Sequence, residues 1–168
     1  MFSERFKEIA ACLPANVKLL AVSKGQPSIS ISSMADFGQV DFGESRLQEA
    51  LPKLKALEAR KNLRWHFIGR LQSNKVRSVV RAFDFIHSVD SVALAERVSR
   101  ISLEEQRSPQ IMLQVKFRED PTKGGFAPSK LIEAWPKLSL LDHLKIVGLM
   151  TMAPIDLDIV ERKSLFRD

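Results

Sequence analysis

What most constrains this chain is a repeated alternation of short apolar runs with longer stretches patterned for helix. The runs at 17–23, 40–43, 64–69, 85–89, 111–115 and 145–150 read as strands. Helical spacing fills the intervals at 28–37, 45–59, 73–82, from Ser91 onward and at 128–135. Leu47, Leu51, Leu54 and Leu57 mark one side of the second helix, and Leu94, Val98 and Ile101 recur in the fourth. Gly38 ends the first helix, Pro52 is placed to kink the second, and Ser73 is placed to cap the third. Six β-then-α units with short connections predict a parallel sheet covered by helices. Periodicity alone leaves two forms open: an open, doubly wound sheet or a closed barrel.

Length and composition narrow the class further. The 168 residues suit one domain spanning 1–168, and no Ser- or Gly-rich linker divides them. Hydrophobic residues make up 45% and charged residues 27%, which sets aside disordered and fibrous classes. Cys12 is the sole cysteine, so neither an internal disulfide nor a cysteine-based zinc site can form, and a reducing, cytoplasmic setting is expected. Residues 1–13 mix charge with apolar side chains as an amphipathic helix does, unlike a signal peptide, and no apolar run suggests a membrane span. The net charge of +6 suits an anionic partner without choosing among nucleic acid, a membrane surface and a phosphorylated small molecule.

In parallel α/β folds, functional groups gather where strands end. Lys24 follows the first strand and is the sharpest single position. Alternation sets it on one face with Leu20 and Val22, where partial desolvation would free a neutral amine to attack a carbonyl and form a Schiff base. The plainer reading is a strand-end lysine that reaches out to water. Residues 69–76 outline a phosphate loop, but Asn74 and Val76 stand where a Walker motif needs Gly and Ser or Thr, so a nucleoside triphosphatase is rejected. His66, His87 and His143 fall on different elements without metal-ligand spacing and read as structural. His87, Ser88 and Asp90 carry the letters of a hydrolase triad, yet neighbouring strand residues point to opposite faces. The run of Arg60, Lys61, Arg64, Arg70, Lys75, Arg77 and Arg81 is the best nucleic-acid patch, and it lacks interleaved aromatics.

Three longer motifs carry a resemblance. They are Ala21-Val22-Ser23-Lys24, Phe42-Gly43-Glu44-Ser45-Arg46-Leu47-Gln48-Glu49 and Trp65-His66-Phe67-Ile68-Gly69-Arg70-Leu71-Gln72-Ser73-Asn74-Lys75. With His87-Ser88-Val89-Asp90-Ser91, Gln114-Val115 and Gly148-Leu149-Met150, they resemble in order and spacing the pyridoxal phosphate homeostasis (PLP-binding, YggS-like) proteins. The resemblance implies an α/β fold of the (β/α)8 TIM-barrel type, similar to the N-terminal domain of alanine racemase. It implies PLP as cofactor, held as a Schiff base on Lys24, with Ser45, His66, Ser73 and Met150 near it. Gly25, Ser45, Arg46 and Lys116 depart from the Thr, Asn, Tyr and Asn usual in that family. Family members continue past a helix like 155–167 into two more strands that supply most of the phosphate cradle. This chain is therefore expected to carry about six of eight strands and to be shortened at its C-terminus. The implied role is a non-catalytic PLP carrier that meets apo PLP-enzymes or regulatory proteins, with no membrane partner. A racemase-like PLP enzyme is the alternative, although the chain has no Tyr to serve as an opposing base. A basic nucleic-acid-binding module is the third reading.

Overall fold

The computed structural model describes residues 2–118 and 124–167. In chain order the elements are α1 (Phe2–Cys12), β1 (Ala21–Val22), α2 (Ser28–Asp36), β2 (Asp41–Glu44), α3 (Leu47–Ala56) and β3 (Arg64–Phe67). A 3-10 turn (Ser73–Lys75) then leads into α4 (Val76–Ala82), β4 (Phe85–Val89), α5 (Val92–Glu104), β5 (Gln110–Gln114), α6 (Pro128–Leu138), β6 (Lys145–Met150) and α7 (Ile159–Leu165).

All neighbouring strands pair in parallel, in the order β1-β2-β3-β4-β5-β6. That order settles the choice that periodicity leaves open. A doubly wound sheet reverses its strand order at a switch point, whereas an order that never reverses winds every crossover helix onto the same face. Helices α3, α4, α5 and α6 accordingly pack side by side. The result is the wall of a (β/α) barrel. Among the described residues β1 and β6 do not pair with each other, and Val22 at one edge of the sheet (51% exposed) and Leu149 at the other (56%) remain open to solvent.

Strand alternation divides the side chains between two faces. Phe42, Phe67, Ile86, Ile111 and Leu113 are buried under the helices with Val76, Val79 and Phe83. Phe67 meets Phe83 edge-on at 5.2 Å between centroids, which seats the end of α4 against β3. The opposite, inner face carries Gly43, His66 and His87.

Boundaries differ from the sequence pattern where a competing hydrogen bond intervenes. The run at 17–23 joins the ladder only at Ala21 and Val22, because at Leu19 the carbonyl is taken by the Gln39 side chain (2.8 Å). The second helix begins at Leu47, with Arg46 in the cap position, and Pro52 lies inside it without ending it. Ser73 does not cap the third helix. Gln72 occupies the cap position of the 3-10 turn and Lys75 that of α4, neither with a side-chain bond, and Ser73 is the first residue of the 3-10 turn. Ser91 does cap α5, its Oγ accepting from the Leu94 amide at 3.3 Å, and Gly38 ends α2 with φ +96°.

Gly69, just beyond β3, marks the closest approach of two strand ends. A Cβ there would lie 2.0 Å from the Ser45 carbonyl oxygen, so only hydrogen fits between the two backbones. Gly69→Ala is expected to lower stability by about 1–3 kcal/mol or more by forcing these segments apart. Gly148→Ala in β6, where a Cβ meets nothing within 4 Å, is expected to stay within about 0.5 kcal/mol. Urea unfolding of the two variants measures the contrast; equal effects would contradict the packing at Gly69.

Candidate functional site

The C-terminal ends of the strands form one rim, and the site is built there. Lys24 follows β1 in a turn closed by the Gln26 amide on the Ser23 carbonyl (3.0 Å), with Gly25 at φ +74°. That backbone conformation favours glycine, which accounts for the residue found after Lys24. The Lys24 side chain is exposed and, among the described residues, makes no hydrogen bond or ion pair. The desolvation expected from its apolar face is not found. β1 is an edge strand, Val22 beside it is half exposed, and no described element covers that face.

Beneath this turn lies a charged cluster. Glu44, the last residue of β2, is fully buried on the helix side. Its Oε1 accepts from Ser23 Oγ at 2.7 Å and from Lys53 Nζ at 2.8 Å, while Oε2 has no partner among the described residues. Lys53 Nζ also donates to Glu49 Oε1 (2.6 Å) and to the Ser23 carbonyl (2.9 Å), and Glu49 Oε1 accepts from the Gly25 amide. Sequence reasoning named the motif containing Glu44 and Glu49 and gave them no role; Lys53 was missed. The available signals were a carboxylate ending an otherwise buried strand and a Glu–Lys pair four residues apart.

A second polar group occupies the inner face. His66 and His87, far apart in sequence, come together because β3 and β4 are neighbours. His66 Nε2 lies 2.9 Å from Asp41 Oδ1, His66 Nδ1 lies 2.9 Å from His87 Nε2, and Arg64 holds the other Asp41 oxygen at 2.6 Å. An ionised carboxylate can only accept, so His66 donates through Nε2 and receives at Nδ1 the N–H of His87. Phe85 stacks on His66 at 4.1 Å between centroids. Burial pushes His87 down to about 4, with repulsion from His66 adding to it. Burial also lowers His66, against the opposing pull of Asp41. At Asp41, burial works to raise the carboxyl, but hydrogen bonds from Arg64 and His66 outweigh it and hold the group below its ordinary value.

The remaining expected positions are spread around the rim. Ser45 shares a cavity of about 180 Å³ with Arg70, Gln72 and Lys75. Ser73 is exposed on an adjoining groove of about 890 Å³, which shares Arg70 with that cavity and is also lined by Arg97 and Arg100. Met150 ends β6 on the opposite edge of the sheet from Lys24, its carbonyl accepting from the Val115 amide at 2.9 Å. Both ring nitrogens of His66 are taken within the protein. The basic run weighed as a nucleic-acid patch is largely neutralised. Arg60 pairs with Asp36, Arg64 with Asp41, Arg77 with Glu104 and Glu105, and Arg81 with Glu105.

Two chemistries stand at the strand ends. The Lys24 amine, without a partner among the described residues, suits a carbonyl; the Ser45 hydroxyl with the Arg70 and Lys75 cations, in a cavity that Lys24 does not line, suits an anionic group. The one-sided winding and this rim define a barrel of the alanine racemase type. The family model described as "Alanine racemase, N-terminal domain" matches residues 2–162. Alanine racemase from E. faecalis shares the fold at a TM-score of 0.76 with 15% identity, covering 97% of this chain and 45% of that one. A pyridoxal phosphate homeostasis protein from Synechocystis sp. is 46% identical over 167 residues, which cover 99% of this chain and 77% of that protein. The structure of PipY from Synechococcus elongatus with PLP bound superposes at a TM-score of 0.94 with 45% identity, again over 99% of this chain and 77% of PipY. The chain belongs to the pyridoxal phosphate homeostasis protein family.

The histidine pair carries a pH dependence of defined sign. A histidine whose folded pKa is depressed contributes stability that is complete above about pH 6.5 and is lost as the pH falls through about 4. In an NMR titration His87 is expected to have its midpoint near 4 and His66 below 6.5. A His87 midpoint at or above 6.5 would contradict the buried pair.

Proposed function

We propose that this chain binds pyridoxal 5′-phosphate and keeps it in reserve without turning it over, with Lys24 as the attachment point. The observation that carries the reading is an exposed amine without a partner, set at the C-terminal end of a barrel strand by a turn whose geometry is fixed from below. The name of the Synechocystis relative and the PLP bound to PipY support it. When bound, the cofactor supplies an aldehyde that primary amines take up reversibly.

This chain's own residues act around that chemistry. Lys24 offers the amine. Ser45 offers a hydroxyl, and Arg70 and Lys75 at the same cavity offer positive charge for a phosphate. Met150 and Ser73 extend the rim on the far edge and at the large groove. We assign His66 the role of holding the inner face in register, because proton exchange at either ring nitrogen would first break its bond to His87 or to Asp41. The name of the Synechocystis relative, a homeostasis protein, favours a carrier over a racemase-like enzyme.

The setting we propose is the reducing cytoplasm, with one barrel domain across 1–168 and apo PLP-enzymes or regulatory proteins as partners. The single exposed cysteine supports that setting, and among the described residues no helix is long and apolar enough to cross a membrane.

Incubation of the purified chain with PLP, borohydride reduction and mass mapping test the reading. The label is expected on Lys24 and is expected to vanish in Lys24→Ala. A label elsewhere, or one that survives the substitution, would overturn the assignment, and interconversion of alanine enantiomers by the loaded protein would favour an enzyme.

A further inference from the structure

We infer that Glu49 and Lys53 are positioning residues for Lys24, gripping the peptide groups on both of its sides; the inference rests on Lys24 being the attachment point. A residue's direction is set by the two peptide planes it joins, since φ and ψ are its only soft backbone torsions. The plane before Lys24 presents the Ser23 carbonyl, which accepts from Lys53 Nζ at 2.9 Å. The plane after it presents the Gly25 N–H, which donates to Glu49 Oε1. These two partners are bonded to each other at 2.6 Å and stand one helical turn apart on α3.

The clamp has no slack in its hydrogen bonding. An ammonium has three N–H groups, and Lys53 places them on three acceptors: the Ser23 carbonyl, Glu44 and Glu49. Glu44 anchors it in the fully buried layer and also takes the Ser23 hydroxyl. Burial opposes the charge on Lys53, but its bonds to Glu44 and Glu49 outweigh burial and hold the ammonium above its ordinary value. The Lys53 bond, with the Gly25 amide behind it, holds the Glu49 carboxyl below its ordinary range. Both groups are charged throughout the neutral range, so the grip does not depend on pH there.

What the clamp supplies is a fixed root for a flexible side chain. The four-carbon stem of Lys24 remains mobile, and its Cα–Cβ direction does not. Ordering a lysine from a rigid root costs less freedom than ordering the loop and side chain together, so losing the clamp should weaken PLP retention without moving the point of attachment.

Glu49 is the accessible half of the pair, partly exposed and outside the buried layer, so its variants are expected to fold where Lys53→Met, which strands a buried carboxylate, need not. The 168-residue chain, Glu49→Ala and Glu49→Gln are compared by amide hydrogen exchange at Gly25 and by PLP titration. Glu49→Ala is expected to speed exchange at Gly25 and to weaken PLP by about tenfold each, with the label still on Lys24. Glu49→Gln, which retains an acceptor oxygen, is expected within about threefold of wild type in both. The inference is overturned if Glu49→Ala leaves both readouts unchanged, if PLP weakens while Gly25 exchange does not move, or if Gln is as impaired as Ala. A wild-type chain that leaves Lys24 unlabelled fails the reading of the site itself, and slow Gly25 exchange in that same protein distinguishes this failure from the absence of a clamp.

Discussion

A carboxylate with no access to water must have a cation within reach, and Glu44 is such a carboxylate. The rim of this barrel wall is organised by that requirement. Lys53 comes down from α3 to meet it, and in doing so ties α3 to the end of β2 and to the turn that follows β1. Only the two residues of β1 belong to the ladder, and beyond them the turn is tied by the Ser23 N–H on the Gly43 carbonyl (2.9 Å) together with the side-chain bonds of this pair. Removing one member of a buried pair costs about 3–5 kcal/mol because the other is left uncompensated. Position at the rim and stability of the first β-α units therefore depend on the same atoms.

The inner face follows a different rule. His66, His87 and Asp41 form a chain in which each group uses the hydrogen-bonding capacity of the next, with Arg64 closing it at the surface. Its members stay neutral or paired, so the interior of the wall carries polar atoms without a free charge. One side of the sheet is held by the Glu44–Lys53 ion pair and the other by neutral rings anchored on the Asp41–Arg64 pair; they meet at β2, which carries Asp41 on one face and Glu44 on the other.

Much of the fold was legible because strands buried against helices leave a continuous apolar run, and all six runs recovered a strand. The choice between a doubly wound sheet and a barrel was not legible, since strand order depends on pairing between distant segments and no local spacing encodes it. At the rim, Lys24 stood out through its place after a strand, and the motif resemblance gave the family. Lys53 did not stand out, because a lysine on an amphipathic helix ordinarily faces water, and its burial depends on a carboxylate nine positions earlier on another element. The contact between His66 and His87 was hidden in the same way, by the 21 positions that separate them. Ser73 does not cap because α4 is entered through a 3-10 turn that starts at Ser73, which leaves Gln72 before that turn and Lys75 before α4.

The two edges of the sheet, described above only as unpaired, are unequal as templates. β1 offers an approaching strand two ladder residues, and β6 offers six. Short edge strands are poor sites for adventitious pairing, and a lysine at the edge discourages it further. At β6 only Lys145, its first residue, provides that protection, while Val147 and Leu149 stand exposed beyond it. Among the described residues the two edges therefore differ in both length and apolar exposure: β6 presents six residues with Val147 and Leu149 exposed, and β1 presents two.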